Sequence, residues 1–263
     1  MDCGKELDEI PEMNFALILA AGFLFLKTGE KFATQESAGP TVALLTTFIG
    51  QQTGTTFEPR VLNDPAQAEK YCTTGKPTVG IVTPGFYLAY GKMLGMEPVL
   101  EIKRQQVAME RYVLVTKGTV LDALADKTIA TPLALEPQFV AGVILQNRLG
   151  AGVRLQPITD VEGAVMDLVE GAKNAPAAVL MEEGIWQVIY ADAELGPQVK
   201  AVFTSDELPG NLVVTFGGKG TVGKLKDALK ATPAEILSSI RVETFSEVNM
   251  ERLKKAEERF CGK

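Results

Sequence analysis

The chain is predicted to be an α/β protein of two lobes, each a mixed, mostly parallel sheet flanked by helices, with hinge strands crossing between them. Three observations predict this. Short β-branched or apolar runs alternate with helix-period patterns over nearly the whole length, as in a parallel or mixed sheet wrapped by helices. At 263 residues the chain is about as long as a single core usually allows, so two lobes are the default. No Pro/Ser-rich linker divides it, so the lobes must be joined by strands passing between them rather than by one flexible tether.

In chain order, the predicted strands begin with Phe15 to Ala21, inside the apolar run FALILAAGFLFL. They continue with Phe57 to Leu62, Thr78 to Val82, Pro98 to Ile102 and Tyr112 to Thr116. Thr128 to Thr131, Val153 to Gln156, Ala177 to Met181, Val199 to Phe203 and Asn211 to Phe216 complete the set. The clearest helix follows Asp160, a good N-cap, because Val161, Ala164, Val165, Leu168 and Val169 recur at helical spacing. Thr41 to Gln51, Asp64 to Cys72, Phe86 to Leu94, Pro137 to Leu149 and Val222 to Leu229 are further helices. Glu247 to Phe260 is a charged amphipathic helix that turns Val248 and Leu253 inward. Polar segments at Lys103 to Glu110 and Ser205 to Asn211 interrupt the apolar runs and are the predicted crossings. Lobe one is then residues 1–107 plus 205–263, with lobe two, residues 108–204, inserted.

Composition narrows the function. A net charge of −7 and a pI of about 4.9 give nucleic-acid phosphates and anionic lipid surfaces no long-range attraction. The sequence contains no histidine, which excludes every mechanism that needs an imidazole as base or metal ligand. The run Phe15 to Leu26 is too short to cross a bilayer, which takes about 20 residues, and its leader is acidic where a secretory leader would be basic. Cys3, Cys72 and Cys261 have no metal-ligand spacing. Cys3 and Cys261 lie near opposite ends of the chain, which leaves a disulfide and two free thiols equally open, and Cys72 is read as a small buried hydrophobe.

Several motifs carry rival readings. Gly218-x-Gly220-x-x-Gly223 with Glu243 beyond it has the spacing of a dinucleotide fingerprint, yet too little chain follows to build the rest of such a fold. A nucleotide-dependent oxidoreductase is the reading it would support. The same stretch misses a phosphate loop because Leu225 stands where Ser or Thr must hold magnesium. Glu182 and Glu183 form a carboxylate pair, which a helix N-terminus explains equally well. In KPTVGIVTPGFYLAY a strand ends at Thr83, and Phe86, Tyr87 and Tyr90 begin a helix where α/β sheets bind ligands. Trp186 follows its own strand in the same relation.

The run DPAQAEKYCTTGKPTVGIVTPGFYLAYGKMLGMEPVLEIKR resembles the first lobe of type II periplasmic solute-binding proteins of the phosphonate-binding-like group. LDALADKTIATPLALEP is similar to the strand opening their second lobe, DVEGAVMDLVEGAKNAPAAVLMEEG to its helix-then-strand segment, and TSDELPGNLVV to the return hinge. The resemblance implies a carrier, not an enzyme, that closes on a small ligand in the periplasm and delivers it to an inner-membrane transporter. It implies no cofactor and no metal, and an export signal already gone from this sequence. The family's phosphonate members hold the oxyanion at the start of a second-lobe helix. Here that stretch reads TPLALEPQF, and Glu136 beside it repels a phosphonate. The expected cleft is therefore apolar and aromatic: Phe86, Tyr87, Tyr112, Leu133 and Trp186, with Thr83, Thr131, Glu110, Glu182 and Glu183 as its polar groups. Glu110 and Tyr112, two apart on a strand, share a face. Such a cleft suits a neutral, amphipathic, lipid-like ligand such as a sterol, in keeping with the family's lipid-binding branch. The alternative keeps the carrier and restores a phosphonate or other oxyanion delivered to an ABC transporter.

Overall fold

The computed structural model describes residues 20–31, 33–105, 110–150, 152–217 and 222–262. In chain order its strands are β1 (Ala21–Leu26), β2 (Phe57–Leu62), β3 (Val79–Val82), β4 (Met96–Arg104), β5 (Tyr112–Thr116), β6 (Thr128–Thr131), β7 (Arg154–Pro157), β8 (Ala178–Glu182), β9 (Lys200–Thr204), β10 (Leu212–Phe216) and β11 (Val242–Ser246). The α-helices are α1 (Gly39–Thr53), α2 (Pro65–Gly75), α3 (Pro84–Tyr90), α4 (Val161–Glu170), α5 (Glu183–Ala191), α6 (Val222–Lys230), α7 (Ala234–Ser239) and α8 (Met250–Phe260). The predicted helix over Pro137 to Leu149 is a π-helical turn, Phe139–Ile144. Of the predicted strand Phe15 to Ala21, all but its last residues lie outside the described ones, and the strand that enters the sheet is Ala21–Leu26.

The strands form one six-stranded sheet, ordered β11-β4-β10-β3-β1-β2, and one five-stranded sheet, ordered β7-β6-β8-β5-β9. Both sheets share one plan. In the first, β1 pairs in parallel with β2 and β3, and β10 lies antiparallel between β3 and β4. In the second, β6 pairs in parallel with β7 and β8, and β5 lies antiparallel between β8 and β9. The edge strand β11 also runs antiparallel to β4, but the antiparallel strand inside each sheet, β10 or β5, is the one that arrives from the other lobe. Each chain crossing therefore delivers its strand into the middle of the receiving sheet, which makes the two lobes interdependent.

Strand alternation buries each sheet on both faces. Phe23 meets α1 residues Val42, Leu45 and Ile49 on one face, while Leu24 and Leu26 meet Ala68 and Cys72 of α2 and Phe86 of α3 on the other. In the second lobe Leu114 and Ile129 pack on the π-helical turn, while Val113 and Ala130 pack on Val165 and Leu168 of α4. Burying each such large side chain is worth about 1.5–3 kcal/mol. Asp64 caps α2 by accepting from the amides of Ala66 and Gln67 at 2.8 and 3.0 Å, and Asp160 caps α4 from Gly163 at 3.0 Å. Cys72 is buried, which pushes its thiol pKa up to about 12. Cys3 lies outside the described residues, and Cys261 is exposed.

The C-terminal helix braces both halves. On α8, Leu253 belongs to the first lobe's core, and Ala256 joins the second lobe's core with Phe260 packed beside it. Asp206, on the return crossing, accepts from Lys255 at 2.8 Å and from Arg259 at 2.7 Å. Glu101, buried on β4, accepts from the amide of Gly210 at 2.7 Å and of Asn249 at 3.1 Å, tying the crossing to the start of α8. Among the described residues no helix is long and apolar enough to cross a membrane.

Candidate binding cleft between the lobes

In each sheet the chain reverses its direction of travel around the first strand, so β1 with β3, and β6 with β8, flank a topological switch point. Loops at the carboxyl ends of such strands splay apart and leave a crevice where ligands bind. Here the two crevices face each other across a cleft of about 710 Å³. Thr28 follows β1 and Thr83 follows β3 on one wall; Leu133 and Glu136 follow β6 and Glu182 ends β8 on the other.

The two walls meet at Glu136. Its Oε1 accepts hydrogen bonds from the hydroxyls of Thr28 at 2.5 Å and Thr83 at 2.6 Å, although the residue is only 7% exposed. Its Oε2 is buried without a hydrogen-bond partner. Burial pushes the carboxyl pKa up, and the two hydroxyls pull the other way without cancelling the shift. Thr83 also caps α3, its hydroxyl oxygen accepting from the Phe86 amide at 3.3 Å. Glycines permit this approach. A Cβ on Gly29 would stand 1.9 Å from the Pro132 carbonyl oxygen, and Gly29 holds a φ of +75° as well.

Beneath this contact, Arg104 at the end of β4 joins the crossing to the second lobe. Its guanidinium donates to both oxygens of Glu182 at 2.8 Å and from Nε to Glu110 at 2.9 Å, with a second, very short bond to Glu110. Burial works against the charge, but the hydrogen bonds and charges of Glu110 and Glu182 hold its pKa above the usual value. The Tyr112 hydroxyl is pushed well up, chiefly by burial and then by the charge of Glu182. The walls differ in sign. Lys27, Lys31 and Arg241 lie on the first lobe's side with the single carboxylate Glu30, whereas Glu136, Asp160 and Glu182 line the second lobe's side.

Of the residues predicted to bind ligand, Thr83, Glu110, Tyr112, Leu133 and Glu182 line this cleft, and Glu110 and Tyr112 do share it. The other five do not. Phe86 is fully buried and Tyr87 packs beside it in the first lobe's core. Trp186 packs on the second lobe's core and stacks against Tyr190 with centroids 5.3 Å apart. Thr131 is wholly buried and accepts from the Leu133 amide. Glu183 sits in the first turn of α5. The expected aromatic cleft is thereby corrected to one of mixed lining, with Tyr112 and Phe139 beside its charged and hydroxyl groups: Phe86, Tyr87 and Trp186 pack onto their own lobes, where they remove more apolar area from water than a solvent-filled crevice would.

Thr28, Arg104 and Arg241 are cleft residues the sequence reading passed over. Ending the first strand at Ala21 rather than Leu26 hid Thr28, which follows a strand end in the same relation as Thr83. In the glycine motif, Gly218 and Gly220 lie outside the described residues, Gly223 is within α6, and Glu243 pairs on the surface with Lys103 at 2.9 Å.

No family model and no curated protein matches the chain. Solved structures do. XAC2383 from Xanthomonas citri bound to chloride ion is 13% identical, with a TM-score of 0.70 over 92% of this chain and 98% of its own; its ATP-bound form has a TM-score of 0.68 over the same shares at the same identity. The binding protein component of an ABC phosphonate transporter from Pseudomonas aeruginosa is also 13% identical, with a TM-score of 0.61 over 92% and 88%. PhnD1 from Prochlorococcus marinus, in complex with methylphosphonate, is 12% identical, with a TM-score of 0.58 over 92% and 97%. The likeness is one of fold. The chain has the two-lobed α/β fold of type II periplasmic binding proteins, with phosphonate-binding proteins among its structural neighbours.

Proposed function

We propose that this protein is the solute-binding component of an ABC-type transport system, working in the periplasm, and that its solute is a small molecule bearing an oxyanion, of the phosphonate class. It binds and releases without chemistry. The lobes divide at residues 107/108 and 204/205, and the solute lies in the cleft between their switch points. One observation carries the reading. The hydroxyls of Thr28 and Thr83, from the two strand ends that flank one switch point, converge on a single carboxylate oxygen. Two donors aimed at one oxygen make a seat for an oxyanion, and Lys27, Lys31 and Arg241 lie on the same wall. The structural neighbours support it as well, since the ligands named with them are chloride, ATP and methylphosphonate, all anions.

The amphipathic ligand loses its basis because Phe86, Tyr87 and Trp186 are packed within the lobes. Isothermal titration calorimetry at fixed ionic strength tests the choice. Methylphosphonate or inorganic phosphate is expected to bind and a sterol to give no heat; the reverse would overturn the reading.

A further inference from the structure

We propose that Glu136 is a tethered occupant of the oxyanion seat: with no solute bound, the second lobe's own carboxylate takes the hydroxyls of Thr28 and Thr83 and holds the lobes shut, and a solute oxyanion binds by displacing it. The inference rests on the oxyanion reading above and adds a built-in competitor to it.

Four observations support it. First, both hydrogen bonds cross between lobes, linking residues 108 and 53 positions apart in sequence. They add nothing to either lobe's internal structure. Second, the bonding is one-sided. Glu101 shows what a structural buried carboxylate has here, with each oxygen accepting from a backbone amide, at 2.7 and 3.1 Å. Glu136 spends one oxygen on two hydroxyls and leaves the other buried and unpartnered. A carboxylate held that way is costly to bury and gains from leaving for water. Third, Glu136 stands on an irregular segment between β6 and the π-helical turn Phe139–Ile144, and π-helical turns are frequent at functional sites. Fourth, the remaining cleft, about 710 Å³, adjoins this contact, so a solute has room to enter before Glu136 departs.

The test combines calorimetry with small-angle scattering on the full chain. Glu136→Ala should bind methylphosphonate more tightly than the unaltered protein, by about ten-fold or more, because the solute no longer has to displace charge-assisted hydrogen bonds. Without solute it should have a larger radius of gyration than the unaltered protein. The double variant Thr28→Val with Thr83→Val removes the other half of the latch and should expand similarly while losing methylphosphonate, which guards against a folding defect peculiar to position 136. If Glu136→Ala binds methylphosphonate no more tightly than the unaltered protein while the double valine variant loses it, the seat stands and the tethered occupant is wrong. If neither the unaltered protein nor Glu136→Ala binds any oxyanion, the proposed function is wrong. In that event a compact Glu136→Ala also overturns the latch, and an expanded one supports it as an interlobe contact.

Discussion

A Cβ built on Gly85 would stand 2.0 Å from Oε2 of Glu136, so the first turn of α3 in one lobe and the carboxylate of the other occupy touching positions. No side chain fits between them. Gly85→Ala must therefore push Glu136 out of the seat or force the lobes apart. The carboxylate is the far end of a flexible side chain that can turn away, so the expected loss of stability is small, at most about 1 kcal/mol. Urea denaturation measures it, and scattering on the same variant should show the expansion expected of Glu136→Ala.

Glu136 also sets a pH dependence. Its pKa in the folded protein is raised above the ordinary 4.5, so over the interval between these values the native state holds a proton that the unfolded state has released. Stability contributed there is full below 4.5 and falls as pH rises through the raised value. Glu136→Gln should lose this limb. Lys27, Glu30 and Lys31 after β1, Arg104 and Glu110 at the crossing, and Tyr112 and Glu182 opposite are common to both proteins. The difference between their urea midpoints across this range therefore reports Glu136 alone.

Arg104 separates two carboxylates that would otherwise face each other across the crossing. Arg104→Met leaves Glu110 and Glu182 partly buried and uncompensated, at a cost of about 2 kcal/mol, below the fully buried case because the group keeps some contact with solvent. Adding Glu182→Gln should recover part of that loss. A double-mutant cycle over Arg104 and Glu182 measures the coupling directly.

The brace made by α8 has its own acid limit. Hydrogen bonds from Lys255 and Arg259 hold the Asp206 carboxyl at about 2, below the ordinary 3.8. A depressed carboxylate contributes stability above its ordinary value and loses it as pH falls through the folded one, so the window here runs from 3.8 down to about 2. Hydrogen exchange over residues 250–260, corrected for intrinsic rate, should lose protection across that window, and Asp206→Asn should lack the protection at higher pH.

Much of the fold was legible because strand identity is written locally. Phe57 to Leu62, Tyr112 to Thr116 and Thr128 to Thr131 are strands with those same ends, since the polar and turn residues that bound each of them leave little choice of frame. FALILAAGFLFL has no such bounds. A uniformly apolar run fits a strand in any frame, and setting it early hid Thr28 past its end. The strand Val242–Ser246 was missed because VETFS has only two buried positions, Val242 and Phe245. The cleft was less legible for another reason. A ring after a strand end can face the crevice or its own sheet, and only the packing of α3 and α5 decides. Glu136 was recognised as hostile to an anion, but nothing near it in sequence reveals that Thr28, 108 residues away, donates to it.

The most direct measurement is a crystal structure of the protein grown with methylphosphonate. One phosphonate oxygen is expected within about 3 Å of both threonine hydroxyls, Thr28 and Thr83, with the Glu136 carboxylate turned away from them. A phosphonate elsewhere in the cleft, with both hydroxyls still on Glu136, would contradict it.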